Sequence, residues 1–134
     1  MLPYGRQSIS DSDIAAVANA LRGDLITQGP MVEAFERRFA EKIGARFAVA
    51  VSNATAALQL AMRVARLSAG DRVVTSPITF LASANAAAHV GATPDFSDID
   101  PVSYTLDPRT LADNWRDDTR AVVEIGRASC RERV

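Results

Sequence analysis

The chain has 134 residues, 48% hydrophobic and 23% charged, with a formal net charge of −1. That is one domain's worth of ordinary globular composition, long enough to bury a core and too apolar for a disordered chain. It leaves no electrostatic footprint for nucleic acid or an anionic membrane, and no stretch approaches the roughly 20 apolar residues of a bilayer span. The opening "MLPYGRQ" lacks the apolar core of a secretory signal, and the single cysteine, Cys130, rules out an intrachain disulfide. Both point to a cytoplasmic protein. Of fifteen basic residues only Lys42 is a lysine.

In chain order, Ser10 reads as an N-cap with Asp13 closing a capping box. Ile14, Val17, Ala18 and Leu21 follow at helical spacing, and Gly23 ends the run. "DLITQG" (24–29) is a connector, and Pro30 opens a second helix with Val32, Phe35, Phe39 and Ile43 on one face. Its charged residues lie mostly opposite, as a solvated face would, and Gly44 stops it. "FAVAV" (47–51) is a short apolar run of the kind that forms a buried strand. A helix rich in alanine is expected over 55–67, a turn at "SAGD", a strand at "RVVTS" (72–76) and a helix over 80–90. A third strand lies within "TPDFSDID" (93–100), a short helix in "DPRTLADNW" (107–115), and a fourth strand begins at "RAVV" (120–123). Strands and helices alternate at βαβ spacing, so the fold class is α/β, with a largely parallel sheet covered on both faces.

The tail "EIGRASCRERV" (124–134) has neither period and follows the last strand without a turn. It resembles the translation of a sequencing adapter, and is set aside from the fold as a fusion scar would be. The chain is then expected to be a truncated gene product, and Cys130 loses its bearing on compartment. A basic arm that binds nucleic acid is the rival reading; three arginines offset by two glutamates make a poor one.

In a parallel α/β sheet, ligands gather beyond the carboxyl ends of strands, where helix N-termini offer free N–H groups to anions. "SNATAAL" (52–58) stands at such a place, with small residues at Ala54, Ala56 and Ala57 and a hydroxyl at Thr55. Local physics leaves two readings open, an ordinary N-cap or a phosphate seat. The glycines of a dinucleotide or Walker loop are absent. Pyridoxal 5′-phosphate (PLP) needs less: one seat, an aromatic face for its ring, a carboxylate for the ring nitrogen and a lysine to anchor it. Phe80, in "SPITF" (76–80), is a candidate face in the same row, although a phenylalanine opening a helix is more often core. His89, the only histidine, reads as a half-exposed residue at a helix C-terminus. No metal site is expected.

The blocks "PYGRQSIS", "LITQGPMVEAFERRFAEKIGARFAVAVSNATAAL", "GDRVVTSPITFLASAN" and "GATPDFSDIDP" resemble successive signatures of the DegT/DnrJ/EryC1/StrS sugar aminotransferases, over about residues 2–123. Within the family, "PYGRQSI" and "SPITF" are most similar to the pseudaminic acid branch. The resemblance implies a PLP-dependent transferase of fold type I, the aspartate aminotransferase-like homodimer. It would move an amino group from L-glutamate to the C4 keto group of a UDP-4-keto-6-deoxy-N-acetyl-hexosamine. It further implies that Thr55 and Ala56 hold the cofactor phosphate and Phe80 stacks on the ring. Tyr4, Asp24, Leu25, Ile26, Thr27 and Ala54 would touch the nucleotide sugar, the connector with help from the other subunit. Ser83 and Asn85 match the same blocks, in roles open to capping or helix packing. Residues 1–29 would be an N-terminal helical segment and 30–123 the first part of the PLP-binding large domain. The family's anchoring lysine and ring-nitrogen aspartate would fall after residue 123, leaving this chain without catalytic residues and inactive. Three alternatives remain: an aminotransferase for another 4-keto nucleotide sugar, of perosamine or aminoarabinose type; a PLP-dependent sugar dehydratase of the same family; and a non-catalytic nucleotide-binding module.

Overall fold

The computed structural model describes residues 7–124. Tyr4, Cys130 and the expected tail beyond Glu124 lie outside the described residues. The chain divides into two compact units, with the boundary between Ala50 and Val51.

The first unit holds helices α1 (Asp11–Leu21) and α2 (Pro30–Ile43). Their ends follow local chemistry. Ser10 and Asp13 form the complete capping box, with the Ser10 amide donating to Asp13 Oδ2 at 2.8 Å. Pro30 stands in the first turn of α2, and Gly44 ends it in the left-handed region at φ 70°. In the connector, Gly29 is required by space: a Cβ there would lie 2.9 Å from that of Leu25. The rings of Phe35 and Phe39 stack one helical turn apart at 5.8 Å.

Residues 47–51 are not a strand, contrary to the expectation from "FAVAV", and they are not buried: Phe47 is 81% and Val49 76% exposed. A strand exists only as one side of a hydrogen-bonded ladder. The segment's Ala50 amide donates instead to a side chain, Glu36 Oε1, at 2.7 Å.

The second unit begins with α3 (Ala54–Val64), followed by β1 (Arg72–Thr75), α4 (Ala82–His89), β2 (Thr93–Phe96), α5 (Pro108–Asp113) and β3 (Thr119–Val123). α3 and α4 are each a turn or less shorter than the sequence period suggests. The "RAVV" strand is thus the third of the described residues, not the fourth. The sheet is parallel in the order β2-β1-β3. The chain passes from β1 through α4 to β2 on one side and returns through α5 to β3 on the other, and α4 packs on β1 and β2. Val73 and Val74, which point to opposite sides of β1, are both buried, so the central strand is covered on both faces.

The core joins Met62 and Leu67 to Val73 of β1 and to Ala86, Ala87 and Ala92 around α4. Alanines let α4 sit close to the sheet. Arg72, the first residue of β1, bonds Asp95 of β2 through Nη1 (Oδ2, 2.9 Å) and Asp118, just before β3, through Nε (Oδ1, 3.0 Å). The Arg72 hydrogen bond holds the Asp118 carboxyl below its ordinary pKa. A carboxyl lowered by folding adds stability above its unfolded pKa, and that stability is lost as pH falls through the folded value. Arg72→Met is therefore expected to raise the pH of the acid-unfolding midpoint and to make the transition shallower, since Asp118 no longer takes up extra proton on unfolding; circular dichroism against pH measures both. Among the described residues no helix is long and apolar enough to cross a membrane.

Candidate anion seat at the carboxyl edge of the sheet

β1 leads through α4 to β2 on one side, and the next strand in sequence, β3, lies on the other. The carboxyl ends of β1 and β3 thus mark the reversal of strand order, where open α/β sheets bind ligands. Thr75, buried, ties these ends together by donating its hydroxyl to the Val123 carbonyl at 2.9 Å. α4 follows the carboxyl end of β1 directly, so its N-terminus stands at that edge, and residues 65–71 join α3 to the start of β1. α3 and α4 pack against each other.

The first turn of α3 is built around Asn53. Its backbone is extended (φ −167°, ψ 168°), and its Oδ1 accepts from the Ala56 amide at 2.9 Å. The Ala57 amide donates to the Asn53 carbonyl at 3.2 Å. This leaves the amides of Ala54 and Thr55 without intrahelical partners, at the positive end of the helix dipole. Ser52 Oγ accepts from Asn53 Nδ2 at 3.2 Å and steadies the cap. The sequence signal for this cap is an asparagine three residues ahead of Ala56 at the start of an apolar period, a signal that the small residues around it do not make explicit.

On the turn after β1, Phe80 is 74% exposed. The turn beneath it is held by Ser76 Oγ, which accepts from the Ile78 amide at 3.1 Å, and by a Thr79–Ser83 hydroxyl pair at 3.1 Å. Asn85 is exposed on α4, and His89, exposed in its last turn, shares a hydrogen bond of 2.6 Å with Gln59 of α3. Ala54, Thr55 and Ala56 thus open α3, and Phe80 lies in the turn between β1 and α4, the helix that packs on α3. Asp24, Leu25, Ile26 and Thr27 belong to the exposed connector of the first unit, with Gln28 beside them at φ 52°. Lys42 is exposed on α2.

The free amides, the small side chains around them and an open aromatic face suit the phosphate and the ring of PLP. Lys42, the only lysine, stands on α2 of the first unit, beside Glu41.

Comparison with known proteins supplies the family. The sequence profile of the DegT/DnrJ/EryC1/StrS aminotransferase family matches residues 7–127. The spore coat polysaccharide biosynthesis protein SpsC of Bacillus subtilis is 42% identical over 131 residues, which cover 96% of this chain and 34% of SpsC. Spr1654 of Streptococcus pneumoniae, described as a sugar aminotransferase and solved in its PLP form, superposes with a TM-score of 0.79 at 32% identity, over 90% of this chain and 31% of that one. An aminotransferase from Psychrobacter cryohalolentis does so with a TM-score of 0.78 at 32% identity, over 90% and 31%. The chain spans about a third of the length of these relatives.

Proposed function

Because the chain belongs to the DegT/DnrJ/EryC1/StrS aminotransferase family, we propose that it is the part of a nucleotide-sugar aminotransferase that seats the phosphate and one ring face of PLP. The fold is that of the PLP-dependent transferases of fold type I, in partial form, and PLP is the cofactor of the family, as the PLP and PMP forms of Spr1654 illustrate. The observation that supports the reading is the pair of amides, Ala54 and Thr55, left without helical partners at the start of α3 by the Asn53 cap. Bound there, PLP supplies the electron sink that lets an amino group pass between donor and acceptor.

The chain's own residues hold and orient. The Ala54 and Thr55 amides grip the phosphate with charge-assisted hydrogen bonds, each contributing about 1.5–3 kcal/mol. Thr55 adds its hydroxyl. Ala56 keeps the approach open, and its own amide joins only when the Asn53 side chain turns away. Phe80 offers a flat face to the ring. Tyr4, Asp24, Leu25, Ile26, Thr27 and Ala54 contact the sugar nucleotide, roles that rest on the motif blocks. In this reading residues 1–29 are the N-terminal helical segment, 30–123 the opening of the cofactor domain, and 124–134 a tail foreign to it.

The whole protein would be a cytoplasmic homodimer that takes L-glutamate as amino donor and a UDP-4-keto-6-deoxy-N-acetyl-hexosamine as acceptor, on the pseudaminic acid branch. The similarity to SpsC favours a second reading within the family, an acceptor sugar destined for another surface polysaccharide. Lys42 does not anchor the cofactor, so the chain binds PLP without performing transamination.

Titration of the chain with PLP and with pyridoxal, which lacks the phosphate, tests this. PLP is expected to bind at least about tenfold tighter, since the phosphate contacts supply most of the affinity. Equal affinities would contradict it. Borohydride treatment of the PLP complex is expected to give no stoichiometric adduct, and a single modified lysine would show that Lys42 does anchor the cofactor.

A further inference from the structure

The buried side of α4 is alanine at Ala82, Ala84, Ala86 and Ala87, with one polar residue among them, Ser83, at 0% exposure. Alanine would fill that helix position with better propensity and no hydroxyl to desolvate. The hydroxyl's partner is Thr79 Oγ1 at 3.1 Å, and the Ser83 amide donates to the Phe80 carbonyl at 3.0 Å. Ser83 thus holds the residue before Phe80 by its side chain and Phe80 itself by its backbone. The largely exposed Phe80 ring has little packing of its own to fix its direction, so the backbone beneath it must.

We propose that Ser83 is a positioning residue: through Thr79 it fixes the 76–81 turn and sets the Phe80 ring as a platform for a planar heteroaromatic ring. The inference rests on the cofactor reading above for the identity of that ring, and on this geometry alone for the positioning. Ser83 is too deeply buried to touch a ligand itself. The pair acts as one unit, because either hydroxyl alone loses its partner when the other is removed.

The test uses the whole chain as wild type, S83A, T79V and the double variant. The order of the Phe80 ring is read by ¹³C relaxation without ligand, and PLP affinity by titration. T79V keeps the helix core untouched should S83A fold poorly. Each single variant is expected to lower the ring's order on the picosecond–nanosecond scale and to weaken PLP binding about 5- to 10-fold. The double variant should be no worse than either single one, as expected of one shared bond. Unchanged ring order in both single variants, or losses that add in the double, would overturn the proposal. Altered ring order in a chain whose wild type binds no PLP would uphold the positioning and remove the cofactor reading.

Discussion

Thr55→Asp is expected to abolish PLP binding while leaving the fold intact or slightly more stable. Thr55 is the second residue of α3, in the turn whose amides carry the helix's positive end. A carboxylate at that position stabilises a helix by about 0.3–1 kcal/mol. The same carboxylate occupies the seat that the phosphate needs. Unit charges about 4 Å apart near a protein surface repel by about 4 kcal/mol, and a phosphate brings nearly two of them. Even after screening by salt, affinity should fall at least about 100-fold. Thr55→Val keeps the backbone amide and removes only the hydroxyl, so it should cost about 3- to 10-fold. Binding measured by fluorescence and stability by thermal melting separate the two effects. A Thr55→Asp chain that binds PLP as well as wild type would place the phosphate elsewhere.

The second large effect is on stability. Met62→Ala is expected to destabilise the second unit by about 2–4 kcal/mol, from lost burial and the cavity left behind. Met62 is 4% exposed and is, with Leu67, one of the two long side chains in a cluster otherwise made of valine and alanine. Alanines on α4 have no reach with which to close the gap. Against the roughly 5–15 kcal/mol of a whole domain, that loss is a large fraction. A urea midpoint well below that of wild type, with the slope unchanged, is the expected result. A midpoint within error of wild type would mean that the Met62–Val73–Ala87 cluster does not carry the fold.

What the sequence discloses is what is decided within one or two turns of chain. Ser10 with Asp13, Pro30 and Gly44 mark helix ends that the structure places where they stand, because capping and left-handed termination need only near neighbours. β1 and β3 are legible from short β-branched runs set between turn residues, and β2 (TPDF) only from its place in the alternation of strands and helices. "FAVAV" carries the same signal and is no strand, since a ladder needs a partner that a one-dimensional pattern does not name. The same limit governs Ile14, Val17, Phe35 and Phe39: the period marks a face, and all four remain exposed. A stripe names no partner. Arg72 pairs with residues 23 and 46 positions away, beyond any local reading.

The seat divides along the same line. The start of α3 is legible because a small polar turn precedes an alanine-rich period. Which amides are free is not, since that turns on whether Asn53 folds back onto Ala56. The Thr79–Ser83 pair lies only four residues apart, and a lone serine within an alanine run was its signal. The Thr75–Val123 bond, 48 residues apart, had none.

The central claim is met most directly by an amide-resolved NMR titration of the chain with PLP, pyridoxal and inorganic phosphate. PLP and phosphate are predicted to shift the Ala54 and Thr55 amides together, while pyridoxal leaves them in place. Shifts centred away from the start of α3, or the same shifts from pyridoxal as from PLP, would contradict it.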